Sequence, residues 1–153
     1  MKKFIVKKKV TIKAEPSAVW DALINPEKTK KYFFNCEVFS KWKVGSQIIF
    51  KGRIFLIKKI EMRGKIVKIE PGKLLQYTLK NGQSDKDKAM TFSTVTDELT
   101  YKNGKTTLSI TDDVGQEEGA EERYEKSMKG WDKVLKGLKE LVEEEEEEEE
   151  EET

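Results

Sequence analysis

Three charged side chains stand where the local pattern calls for apolar ones, and they hold most of the chain's chemical potential. Asp97 alternates with Val95 and Leu99, Asp112 follows Leu108 and Ile110 in phase, and Lys8 falls between Val6 and Val10. Period-two alternation puts each on the apolar face of a strand. A carboxyl group held in such a place could be tuned for proton transfer. An unpaired buried charge is expensive, however, so the expectation is that these groups lie at strand ends, pair with each other or reach solvent. The 153 residues contain no histidine, which excludes Ser-His-Asp and Cys-His catalysis and histidine-bearing zinc sites. The single cysteine, Cys36, can complete neither a thiolate metal site nor an internal disulfide, and is expected to be a small semi-buried residue in a reducing cytoplasm. No phosphate-cradling G-x-x-x-x-G-K-[ST] loop or dinucleotide G-x-G-x-x-G fingerprint occurs. Any enzyme built on this chain would rely on carboxylates, tyrosines or lysines, with no cofactor or metal expected.

The aromatic residues are the stronger clue. Trp20, Trp42, Tyr77, Phe92 and Trp131 fall on segments expected to face inward. Met62 and Met128 could line an adaptable pocket or plug it, and Leu135 shares a helix face with Met128 and Trp131. Small-molecule sites are concave and mostly apolar with a few polar groups, which makes this set, with Asp97 and Asp112, the candidate lining of a pocket. The alternative is that the same rings simply fill a core.

These residues must be positioned by a small set of elements. A first strand is expected from about residue 4 to 14, and Pro16 then opens a helix whose apolar side is Val19, Trp20 and Leu23. Asn25-Pro26 stops that helix, and a second short one should cover 27–34. Strands follow near 37–39, 47–56, 58–70, 74–80, 91–101 and 106–112, with 81–88 a polar loop. Pro71-Gly72 and Asn103-Gly104 are turn signals, the latter typical of a tight hairpin. From about Glu118, Tyr124, Met128, Trp131, Leu135, Leu138 and Val142 recur in steps of three and four, one face of a long helix. Gly130 and Gly137 within it each cost about 1 kcal/mol relative to alanine, which points to close packing against the sheet. A strand and short helices in front, a sheet in the middle and one long helix at the end make an α+β helix-grip domain over residues 1–142.

Residues 143–152 are ten consecutive glutamates. With those ten set aside, 19 of the 29 acidic residues face 30 basic ones, so the net +1 hides a body of +11. The run is expected to be a disordered tail: like charges repel, and negative charge opposes the dipole at a helix C-terminus. Transient cover of a basic sheet face near Lys58 and Lys65 is its expected role. Lys2, Lys3, Lys7, Lys8, Lys9, Lys58, Lys59, Lys65 and Lys68 could form that face, but no nucleic-acid-reading motif accompanies them, so a solvated surface is expected. No run of 18 apolar residues is present, so no membrane span is expected, and the N-terminus has no signal-peptide pattern.

Several segments carry a resemblance: Ala14-Glu15-Pro16-Ser17-Ala18-Val19-Trp20-Asp21-Ala22-Leu23, the turn Ile69-Glu70-Pro71-Gly72-Lys73, Ser93-Thr94-Val95-Thr96 through Leu99, Thr107-Leu108-Ser109-Ile110-Thr111, and Gly130-Trp131 through Leu138-Lys139. In this order and spacing they resemble the activator of heat-shock protein 90 ATPase homology family, within the START-like superfamily. The resemblance implies a curved antiparallel sheet gripping the C-terminal helix, with two short helices closing one end. Asp97 and Asp112 depart from it, since relatives tend to be apolar at the first position and many carry histidine at the second. Three roles follow as expectations. The chain is first a non-catalytic binding protein for a small hydrophobic ligand between sheet and helix. It is alternatively a chaperone-accessory or other protein-interaction module, or a cyclase- or hydrolase-like enzyme using Asp97 or Asp112.

Overall fold

The computed structural model describes residues 4–54, 57–81 and 91–152. Its elements follow the order β1 (Ile5–Ile12), α1 (Pro16–Ile24), α2 (Pro26–Tyr32), β2 (Cys36–Ser40), β3 (Gln47–Ile54), β4 (Lys58–Glu70), β5 (Leu74–Asn81), β6 (Thr91–Lys102), β7 (Lys105–Asp113) and α3 (Ala120–Glu152). The strands form one seven-stranded antiparallel sheet in the order β1-β7-β6-β5-β4-β3-β2, the α+β helix-grip architecture expected from the sequence. Only the β1–β7 pairing joins distant parts of the chain; every other neighbour follows in sequence.

Local chemistry sets the corners. Asn25 ends α1, donating its N–H to the Asp21 carbonyl, and its side chain caps α2 by accepting from the Glu27 N–H at 3.0 Å. Pro26 therefore starts a helix as well as stopping one, because its missing N–H is no loss in a first turn. Asn103 and Gly104, at φ 53° and 78°, form the tight β6–β7 turn that only such residues accept readily. Gly64 on β4 is demanded by space, since a Cβ there would collide with the Thr78 carbonyl of β5. The register shifts between Ile66 and Lys68, a β-bulge that bends the sheet around its contents.

One face of the sheet and α3 enclose the core. Val6, Ile12, Ile66, Leu75, Leu108 and Leu138 are among its fully buried side chains. On α3 the expected stripe holds: Trp131, Leu135, Leu138 and Val142 are buried, and Tyr124 and Met128 pack at its edge. Gly137 lets the helix approach Tyr32, whose Cβ would lie 3.0 Å from an added methyl, whereas Gly130 faces only the tip of the Phe34 ring.

The glutamate run departs from expectation, being helical as far as Glu152. Glutamate has good helix propensity, and the first turns of the run are pinned to the body. Glu143 accepts from the Lys13 N–H at 2.9 Å and meets Lys139, and Glu145 pairs with Lys28 at 2.8 Å. The contacts are thus with the β1–α1 corner and α2 rather than with Lys58 and Lys65. The basic face is also divided. The lysines of β1 are separated from those of β4 by β7, β6 and β5, close to 20 Å at the usual strand spacing. Lys2 and Lys3 lie outside the described residues, as does most of the polar loop expected over 81–88.

Candidate functional site

A small enclosed cavity lies between the sheet and the helices. Asp97 of β6 is in register with Leu75 of β5 on one side and Ile110 of β7 on the other, so all three face α3 and line it. Tyr77, two residues along β5, continues the wall, and Ile48 and Phe50 of β3 complete the sheet side. Trp131, Val134 and Leu138 close it from α3, and Thr29, Tyr32 and Phe33 close it from α2 and the residue after it. Phe33 is the stopper, stacked on Phe50 at 4.7 Å and edge-on to Trp131 at 5.9 Å. The remaining volume is about 20 Å³, room for roughly one water. In this conformation the rings fill the interior that the sequence suggested as a pocket.

The polar groups are arranged unequally. Ser127 and Trp131 are four residues apart on α3 and so share a face. Both donate to Asp112 Oδ2, from the hydroxyl at 2.6 Å and from the indole N–H at 2.9 Å. Asp112 thereby ties α3 to β7. Asp97 lies diagonally across β6–β7 from it, and Asp97 Oδ1 has no hydrogen-bond partner among the described residues. Asp97 is only 3% exposed. Burial, with a smaller contribution from Asp112, pushes its carboxyl up from 3.8 to about 7. Burial and the Asp97 charge also push the Tyr32 and Tyr77 phenols well above their usual value. The Tyr32 hydroxyl donates to the Ala22 carbonyl at 2.6 Å, joining α2 to α1.

Asp97 overturns the expectation of strand-end or solvated placement, lying mid-strand in β6 at 3% exposure. Asp112, one residue from the end of β7, does sit at a strand end but is buried there, at 5% exposure. At Asp112 two donors meet the cost on Oδ2, but its Oδ1, like Oδ1 of Asp97, has no partner among the described residues. Lys8 does follow the expectation, reaching out past the core to Asp132 on α3 at 2.9 Å.

Of the ten candidate pocket residues, Tyr77, Asp97 and Trp131 come together at the cavity. Asp112 contacts it only through Trp131. Trp20, Trp42, Met62 and Met128 pack part-buried around the core and Leu135 is buried within it, all away from the cavity lining. Trp42 is in the loop after β2 at φ 55°, with its N–H held by Ser40 Oγ. The side chain of Phe92 lies outside those described, although its backbone pairs with Lys80. Sequence reasoning missed Tyr32 and Phe33, because a short lysine-rich helix gives no apolar period by which to orient it. Among the described residues no group of acidic or cysteine side chains could hold a metal ion, and no helix is long and apolar enough to cross a membrane. Cys36 is fully buried and burial pushes its thiol up to about 11, so it is no ready nucleophile.

Comparison with known proteins places this geometry. The family model described as Activator of Hsp90 ATPase homolog 1-like protein matches residues 13–143. No curated protein matches the sequence. A Cytophaga hutchinsonii protein solved in solution is 32% identical, with 95% of this chain and 98% of that one covered at a TM-score of 0.71. A crystal structure of a Mesorhizobium loti protein aligns over 92% and 97% of the two chains at 22% identity and TM-score 0.75. The Aha1 dimer from Colwellia psychrerythraea aligns over 91% and 96%, at 21% identity and TM-score 0.69. These last two likenesses speak to fold.

Proposed function

The chain belongs to the Activator of Hsp90 ATPase homolog 1-like protein family, and from that premise we propose that it is a non-catalytic binding protein for a small, largely apolar ligand held between sheet and C-terminal helix. The observation that carries this reading is the cavity at that place, walled by aromatic rings and holding one unpartnered carboxylate oxygen. A core built for stability alone gains nothing from such a group, whereas a binding site needs a few polar anchors in an apolar wall. Only about one water fits as the rings now lie, so uptake requires Phe33 to swing away from Phe50 and Trp131. The residue after Phe33, Phe34, is held at φ 50° and is 44% exposed, so this corner is neither relaxed nor tightly packed. The one cysteine fits a reducing compartment such as the cytoplasm.

Titration with indole, benzyl alcohol and medium-chain alcohols, followed by NMR, tests the reading. It should move the Trp131 indole signal and the amides of Tyr77 and Phe33. Silence at all three positions across millimolar concentrations of every probe would sink the proposal.

A protein-interaction role is the second reading, favoured by the exposed glutamates near the C-terminal end of α3. A partner there would be basic, and its binding would weaken between low and high salt.

A further inference from the structure

We infer that the ligand of this cavity carries a protonated amine, which docks on Asp97 with its carbon skeleton against Phe33, Phe50, Tyr77 and Trp131. This deepens the binding reading above and rests on it.

The argument begins with charge. Asp97 and Asp112 are buried under α3, and among the described residues no lysine or arginine lines the cavity. Asp112 has one oxygen satisfied by Ser127 and Trp131, and among the described residues its other oxygen lacks a partner, as does Oδ1 of Asp97. The interior is therefore short of hydrogen-bond donors and of positive charge at one place. The groups facing Asp97 from the neighbouring elements are Asp112 on β7, Tyr77 on β5 and Tyr32 on α2. None is cationic, and the Tyr32 hydroxyl is already committed to Ala22.

An ammonium group supplies both missing things, with donors to spare for the carboxylate. Its surroundings suit it too. Phe33, Phe50 and Tyr77 form a chain of rings at 4.7 and 5.9 Å, and Trp131 meets Phe33 at 5.9 Å. Aromatic faces attract cations, most strongly when water is excluded. A carboxylate ligand would meet the opposite: two like charges, no basic partner and a desolvated site. The cavity thus selects by sign. Because Asp97 holds its proton up to about pH 7 without a ligand, binding an ammonium must displace that proton, so affinity should rise as pH increases from 6 to 8.

Three near-isosteric probes test the inference by calorimetry and NMR: benzylamine, benzyl alcohol and benzoate. At pH 8 benzylamine should bind at least about tenfold tighter than benzyl alcohol, the scale of a charge-assisted hydrogen bond, and benzoate should not bind. Asp97→Asn should erase the difference between amine and alcohol. In the unmodified protein, amine affinity should increase between pH 6 and 8 and alcohol affinity stay flat, a check that needs no variant. Alcohol binding as tight as the amine, or benzoate binding tighter, would overturn the amine preference and leave the cavity reading intact. Failure of all three probes to bind would overturn both.

Discussion

Replacing Asp97 by asparagine should stabilise the protein at alkaline pH and do so progressively less as pH falls. In the folded protein the carboxyl releases its proton near pH 7, against 3.8 when unfolded. Between those values the folded state holds a proton that the unfolded state has lost. Stability contributed by this group is thus full below about pH 4, declines as pH rises through the window, and is level above about 7. At about 1.4 kcal/mol per decade of proton affinity, the decline amounts to roughly 4 kcal/mol. That agrees with the several kcal/mol expected for an uncompensated buried charge. Asparagine cannot ionise, so the variant loses the decline. Its amide adds a constant offset, which cancels when two pH values are compared. The assay is urea unfolding followed by tryptophan fluorescence at intervals from pH 4 to 9, for parent and variant. The difference in unfolding free energy should grow by roughly 3–4 kcal/mol from pH 4 to pH 8 in favour of the variant. Parallel stability curves across that range would refute the placement of Asp97 as a buried, unpartnered acid.

Other consequences follow from particular contacts. Gly130→Ala should raise stability by about 0.5–1 kcal/mol from helix propensity, since the new methyl meets only the tip of the Phe34 ring at 3.4 Å. Gly137→Ala should gain nothing or lose stability, because Tyr32 Cβ is at 3.0 Å; thermal melts giving equal gains for both would contradict the close approach of α2 and α3. Thr29→Val should cost about 1–3 kcal/mol. Thr29 is buried and its hydroxyl accepts from the Val38 N–H at 3.1 Å, so Thr29→Ser should lose much less on denaturant unfolding. Removing residues 143–152 should shift the NMR amide signals of Lys13 and Lys28 and leave those of Lys58 and Lys65 in place; the reverse pattern would show that the glutamate run covers the sheet.

The sequence by itself determined the order and type of the elements. Alternation in β5 and β7, the Asn103-Gly104 and Pro71-Gly72 turns and the three-and-four spacing on α3 are all local signals, set by which backbone shapes the side chains permit. The double role of Asn25, closing one helix and capping the next, was half legible: the break could be read, but not that Pro26 begins α2. The sequence also marked Lys8, Asp97 and Asp112 as charges on apolar faces. Their fates could not be read from one dimension, because a partner for a buried charge comes from another element. Tertiary structure brought Asp132 to Lys8 and Ser127 with Trp131 to Asp112 Oδ2, and among the described residues it left Oδ1 of Asp97 without a partner. It also set Tyr32 and Phe33 over the aromatic wall and closed the cavity to about 20 Å³. Cavity size depends on how side chains from several elements interlock to within the width of a methyl group, and no periodicity along the chain encodes that.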